Sequence, residues 1–375
     1  MNYSFSSEAV SIGHPDKICD QISDAILDAY LQDDPHAKVA VECLITSQKL
    51  IIAGEVQSSA QVDAVSIAKQ VLLQIGYTSL HVGFDTHTAD YENLIHQQSP
   101  LINNAVIDGG AGDQGVMFGY ATNESENLLP LPYLIAQELI MQQQLLRQST
   151  PWLLPDAKAQ VTFQYKNNLP THIEKIVLST QHTSEISFEQ LKDQVKQLII
   201  SPCISPWINP DIMPDYYINP SGSFLLGGPH SDTGLTGRKI IVDTYGGSCP
   251  HGGGAFSGKD SSKVDRSAAY AARFAAKQVV WSGLAERCTV QLAYAIGLKE
   301  PQSIYVNTHQ TGKISDEKIA KALEKAINFT PLGIINRFDL LRPIYQKTAR
   351  NGHFTDPNSP WELSDKDIIN TLQMA

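Results

Sequence analysis

The chain has no run of apolar residues near the roughly 18 to 20 that a membrane-spanning helix needs. A membrane partner is therefore not expected. Positive charge is also scarce: 28 Lys and Arg stand against 39 Asp and Glu, a formal net charge of −11. General nucleic-acid binding leans on many cations neutralising phosphates, so it is not expected either. A local basic pocket for a small anion remains compatible with that balance. The five cysteines (Cys19, Cys43, Cys203, Cys249, Cys288) are odd in number and contain no CxxC pair. That fits reduced thiols in a cytoplasm better than a disulfide frame or a zinc site. The start, Met1-Asn2-Tyr3-Ser4-Phe5, lacks the basic and apolar regions of a signal peptide. A cytoplasmic location is expected.

What remains is a globular composition, 42% hydrophobic and 18% charged over 375 residues. That length exceeds a single ordinary core and predicts two or three domains. Periodicity predicts helix, strand, strand, helix, and then the same order twice more. The first set is a helix at 17–31, strands at 39–45 and 49–56, and a helix from about 60 to Gly76. The second is a helix at 132–146, strands at 160–165 and 172–178, and a helix at 188–200. The third is a helix at 264–281, strands at 287–296 and 303–308, and a helix at 315–327. Adjacent strand pairs argue against a parallel βαβ sheet and for three α+β units, each burying one sheet face under helices.

Two stretches break the pattern. Residues 97–115 are polar and loop-like, with Gly109, Gly110 and Gly112 near their end. Residues 227–258 hold ten glycines, a density suited to backbone that approaches a ligand closely. Within 252–266, glycine amides can cradle phosphate oxygens while Lys259 and Lys263 supply charge, at the positive end of the following helix. Gly253 to Lys259 matches the GxxxxGK half of a phosphate-loop motif. Asp260, however, stands where that motif needs a hydroxyl, and no strand leads into the glycines. An ordinary phosphate-loop NTPase is thereby disfavoured, and a plain glycine loop capping a helix is the other reading.

Arg238-Lys239 lead into an apolar strand expected at 240–245, and with Lys259, Lys263 and Arg266 they form a basic cluster in an acidic chain. Such a cluster calls for a polyanion. Gly13-His14-Pro15-Asp16-Lys17 is ordinary helix-start chemistry, and it also suits phosphate and its magnesium. Glu42 interrupts an apolar strand and Glu55 ends the apolar run 50–54; solvent-facing positions would explain either one alone.

Together these segments resemble the methionine adenosyltransferase family from about residue 3 to 361. The matching words are Gly13-His14-Pro15-Asp16-Lys17, Gly110-Ala111-Gly112-Asp113-Gln114-Gly115, Gly234-Leu235-Thr236-Gly237-Arg238-Lys239, Ile241-Val242-Asp243-Thr244-Tyr245-Gly246-Gly247 and 252–266. The resemblance implies an α+β fold of three similar domains with pseudo-threefold symmetry, mixed sheets packed by helices. Their expected limits are 1–101, 113–226 and 227–375, with an active-site gate loop at 102–112. It further implies a homodimer with active sites shared between subunits, often paired into a homotetramer.

The implied reaction forms S-adenosylmethionine from ATP and L-methionine, then hydrolyses the tripolyphosphate. Carried over by position, His14, Lys158, Arg238, Lys239, Lys259 and Lys263 resemble the polyphosphate shell. Asp16 and Asp265 resemble the Mg²⁺ ligands, and Glu42 the K⁺ ligand. Glu55, Gln98, Asp113 and Asp232 resemble methionine and adenosine contacts, with Asp156 and Ala255 also on the substrate side. Phe224 matches the ring that stacks on adenine, and Ile296 its apolar wall. Two positions depart from the family: Ile12 replaces Glu, and Ser223 replaces Arg. The gate loop is also several residues shorter than in common bacterial members. A weakened regulatory or assembly-partner paralogue of the same fold is the alternative these departures raise.

Overall fold

The computed structural model of the chain describes residues 2–97, 109–207 and 211–375. Strands β2 (Lys38–Thr46) and β3 (Lys49–Gln57) alternate as period-2 patterning demands, with Val39, Val41, Cys43 and Ile45 buried on one side. Their other face carries Ala40, Glu42 and Leu44 on β2, opposite Glu55, Ala53 and Ile51 on β3. A third strand, β4 (Asp90–Gln97), joins β3 in parallel. Helices α1 (Pro15–Asp33) and α2 (Ala64–Ile75) pack against each other, and α1 packs on β2. The second helix starts at Ala64 rather than near 60, because the Asp63 carboxylate caps the Ser66 N–H.

The same construction recurs. Strands β6 (Leu153–Lys166) and β7 (Leu169–His182) pair antiparallel, with β8 (Asp215–Ile218) parallel to β7. Helix α3 (Leu131–Arg147) packs on β6. Helix α4 (Phe188–Val195) follows, opened by a reciprocal cap between Ser187 and Gln190. The expected helix at 188–200 leaves α geometry after Val195 and widens into a π turn over Lys196–Ile200. In the third set, β10 (Arg287–Tyr294) and β11 (Ser303–Asn307) pair antiparallel. They lie with α5 (Val264–Trp281) and α6 (Asp316–Ala326), and α7 (Pro331–Phe338) and α8 (Lys366–Gln373) complete this part.

Each sheet is completed by a strand from elsewhere in the chain. β1 (Asn2–Val10) pairs antiparallel with β6, so the first strand belongs to the sheet of β7 and β8. β5 (Gly115–Thr122) pairs with β10, and β9 (Gly234–Leu235) pairs with β2. The exchange is cyclic. The expected segment 1–101 gives a strand to the middle sheet, 113–226 gives one to the last, and 227–375 gives one to the first. The result is a three-part α+β fold whose parts are stitched by their sheet edges. One apolar core runs beneath α1, α2 and α5, and a second fills the space between α3, α4 and the β1–β6–β7–β8 sheet. Among the described residues no helix is long and apolar enough to cross a membrane.

The expected strand at 240–245 is not one. The Asp243 N–H bonds back to the Lys239 carbonyl and the Gly246 N–H to the Ile241 carbonyl, winding the segment into turns. That winding carries Asp243 inward, where it meets the fully buried Lys17 ammonium at 2.6 Å. Lys17 also meets Asp20 at 3.1 Å, and the turn lets Asp243 join that buried charge cluster where an extended strand is expected.

Candidate active site

The edge of β2 organises the site. At one end, β9 pairs Gly234 and Leu235 with Ile45 and Leu44, just before Arg238-Lys239. Nearer the start of the same strand, Lys259 bridges Ala40. Gly258 makes that second approach possible: its φ is +80°, and a Cβ there would sit 1.8 Å from the Val41 carbonyl oxygen. The two glycine-rich basic segments are thus fastened to one strand, and they also touch each other, at Gly237 and Ala255.

The first group of residues gathers at the start of α1. His14 is the N-cap, its Nδ1 accepting the Asp16 N–H at 3.2 Å. Burial and the Lys239 charge push the His14 imidazole down to about 3, with Lys158 and Lys17 adding to the effect against Asp16. It is neutral at pH 7. The Asp16 carboxylate accepts the Leu235 N–H at 2.9 Å and the Lys239 ammonium at 2.5 Å, with Arg238 Nε at 3.6 Å. Burial alone would raise this carboxyl, but the Lys239 and Leu235 hydrogen bonds outweigh it and hold it below the usual range. Lys158 stands opposite Val10 across the β1–β6 ladder and meets Glu8 at 2.8 Å. Asp156 accepts the Gly228 N–H at 2.8 Å, and burial raises its carboxyl to about 6. Asp232 is exposed and close enough to contribute to that rise. Phe224 is half-buried beside Gly227, and Ser223 before it is exposed.

A second group forms at the start of α5. Lys259 meets Asp265 at 2.7 Å. Gly254 and Gly115 both face this carboxylate: a Cβ at Gly254 would lie 2.2 Å from its oxygen, and one at Gly115 3.5 Å. Lys263 pairs with the buried Asp260, which also accepts the Val39 N–H at 2.7 Å. This explains why Asp260 departs from the phosphate-loop pattern: it ties the segment to β2. Glu55 lies opposite Ala40, in the same row as Lys259, and Glu42 is two residues along on that face and exposed. Asp113 is exposed just before β5, where the Ala111 N–H donates to the Leu298 carbonyl and brings Ile296 nearby. Gln98 lies outside the described residues, as does most of the expected gate loop.

One member of the expected basic cluster does not belong to it. Arg266 is fully buried, held by both oxygens of Asp24 at 2.6 and 2.7 Å and by the Phe256 carbonyl. Its charge is spent inside the core because α5 turns that position inward. Ile12 is likewise buried in the core, packed where the family's Glu would stand.

The residues that sequence reasoning missed are the acids that follow Asp16. Asp20, Asp24 and Asp28 continue from it at every fourth position, so all four line one face of α1. Asp20 accepts the Gly237 N–H, Asp24 the Gly258 N–H, and Asp28 the Tyr345 and Gln346 N–H groups. The spacing was the available signal. Asp20 and Asp24 thereby fix the backbone of the two glycine-rich segments.

Among the described residues no three His, Cys, Asp or Glu side chains converge as a metal cage. Isolated carboxylates beside lysines suit Mg²⁺ that arrives with phosphate, because that ion is held by one or two carboxylates plus phosphate oxygens.

Comparison with known proteins identifies the family. Three family models match in order: S-adenosylmethionine synthetase N-terminal domain over 2–100, central domain over 108–224, and C-terminal domain over 226–363. The S-adenosylmethionine synthase of Sulfurovum sp. (strain NBC37-1) is 50% identical over 372 residues, covering 97% of this chain and 96% of that protein.

Proposed function

The chain belongs to the S-adenosylmethionine synthetase family, and from that premise we propose that it joins ATP and L-methionine by attack of sulfur on the ribose 5′ carbon. Synthesis of S-adenosylmethionine, a methionine adenosyltransferase activity, follows from membership. The finer assignment rests on one observation: each basic segment presents a lysine already paired with a carboxylate, Lys239 with Asp16 and Lys259 with Asp265. Such pairs can trade partners at no net charge. Lysines turn to phosphate oxygens, and the carboxylates are left to hold Mg²⁺.

Methionine sulfur is neutral and carries no proton to remove. Its lone pair forms the S–C5′ bond while the C5′–O5′ pair leaves with the tripolyphosphate. Negative charge grows at that end, and Lys158, Arg238, Lys239, Lys259 and Lys263 meet it with little reorganisation. His14 accepts the Asp16 N–H at Nδ1, so its neutral ring keeps the proton on Nε2 as a donor for phosphate. Asp16 and Asp265 would hold Mg²⁺, which would supply further neutralisation of the leaving group. Asp113, with Glu55 and Gln98, favours the positive sulfonium and holds the methionine, while Asp156, Asp232, Ala255, Phe224 and Ile296 shape the adenosine side. Glu42 would hold K⁺ from the open sheet face. Hydrolysis of the tripolyphosphate to phosphate and diphosphate follows before release. The residues fall into two groups on one chain, which suits a homodimer with shared sites, and the family resemblance carries the further pairing into a tetramer. Five free cysteines, four of them buried and none in a disulfide, suit a cytoplasmic enzyme.

The test is direct. Purified protein with ATP, methionine, Mg²⁺ and K⁺ is expected to yield S-adenosylmethionine by mass spectrometry, and none in EDTA. Undiminished product in EDTA would remove the magnesium assignment. No product under any condition would favour the paralogue that keeps the fold without the rate.

A further inference from the structure

Phe224 lies in an irregular stretch between β8 and β9, outside any helix or strand. A ring meant to receive a nucleobase has to be held at a fixed height, and an irregular loop does not do this by itself. The holding groups are Gln181 and His182, the last two residues of β7, both buried. The His182 backbone N–H donates to the Phe224 carbonyl at 2.9 Å, and the His182 Nε2 accepts the Phe224 N–H at 3.1 Å. Nδ1 faces the Thr183 carbonyl at 2.9 Å. A carbonyl only accepts and an amide N–H only donates, so one neutral tautomer, protonated on Nδ1, satisfies both ring contacts. Both backbone polar groups of Phe224 therefore end on His182.

Gln181 completes the arrangement. Its Nε2 donates to the Leu225 carbonyl at 3.2 Å and to the Val82 carbonyl at 2.8 Å. The residue after Phe224 is thereby tied to the 77–86 region. A Cβ at Gly227 would lie 2.9 Å from both the Gln181 side chain and the Phe224 ring, so both groups close on the bare backbone of Gly227.

We propose that Gln181 and His182 are positioning residues that latch Phe224 in place for the adenine of ATP. The inference rests on Phe224 being the adenine platform. Neither side chain needs to touch substrate. Their loss should act on recognition of the nucleoside and spare the phosphate end.

Isosteric variants test this. In His182→Gln the amide oxygen falls where Nε2 lies and can still accept the Phe224 N–H. In His182→Asn only the Nδ1 position is reproduced. The expected result is a KM for ATP raised about tenfold in His182→Asn, the scale of one lost buried hydrogen bond, with His182→Gln close to wild type. The KM for methionine and the hydrolysis of added tripolyphosphate, which has no adenine, should be unchanged in both. Should His182→Asn fail to fold, Gln181→Met removes the tie to Leu225 together with the 3.4 Å contact of the Asp156 N–H to Gln181 Oε1, and the same rise in the KM for ATP is expected. A folded His182→Asn with wild-type ATP parameters would overturn the latch, as would parallel loss of tripolyphosphate hydrolysis, which marks a general scaffold role. Phe224→Ala separates the premise: if it leaves the KM for ATP unmoved, the platform reading fails, and the latch with it.

Discussion

Two cations seven residues apart, Lys259 and Arg266, have opposite fates. Lys259 meets Asp265 with its side chain 24% exposed, free to exchange that partner for phosphate. Arg266 has no exposed surface and is fully committed to Asp24. Lys259→Ala is therefore expected to fold normally, keep its KM for methionine and lose about a hundredfold in kcat, the ~3 kcal/mol typical of one lost electrostatic contact to a developing charge. Arg266→Ala should instead fail in stability, by about 3 to 5 kcal/mol, because it strands a buried carboxylate. Thermal melts and steady-state kinetics on both variants distinguish the roles. A folded Lys259→Ala with unchanged kcat would make Lys259 a solvated loop charge.

At the scale of the element, α1 does more than cover a sheet. Its acidic ladder joins Asp16, with its Leu235 and Lys239 contacts, to the 345–346 backbone near the helix end, where Asp28 accepts two N–H groups. Burial raises the Asp28 carboxyl to about 6, against partial relief from those two donors. A raised acid binds its proton more tightly in the folded chain than in the unfolded one. Its contribution to stability is thus present at low pH and is lost as pH rises from about 4 through about 6. Asp28→Asn removes that loss while keeping an acceptor oxygen. Relative to wild type, its melting temperature should shift upward as pH is raised across that window. A difference that stays constant with pH would mean Asp28 is not titrating there.

For the molecule as a whole, the two groups of site residues suggest a complementation test. Asp16→Asn damages the group at α1 and Lys259→Ala the group at α5. If each active site takes one group from each subunit, co-refolded mixtures form heterodimers with one intact site of two. Equal random mixing should then recover about a quarter of wild-type activity, because half the dimers carry one good site. Either variant alone should remain impaired. No recovery in a mixture shown by mass to contain heterodimers would place both groups in one site of one chain.

Much of this was readable locally. The helix at 264–281 is seen over those residues, and the strand pairs at 39–45 with 49–56 and at 287–296 with 303–308 lie within a few residues of their places. Such elements are set by short-range periodicity, caps and turns. The motif words also fixed which residue types gather, since glycine beside lysine has meaning before any fold is known. Three-dimensional structure decided what distance in the chain hides. The sequence of β1 shows an edge to be paired and does not say that Val10 will meet Lys158. Nothing near Arg266 announces that Asp24 will claim it, nor near 240–245 that Lys17 will draw Asp243 inward and undo a strand. His182 looks like any strand-end histidine until Phe224 arrives against it. The reason is common to all four. Periodicity and capping are satisfied within a few residues, whereas a strand edge or a buried charge must find its complement wherever the closed chain supplies one.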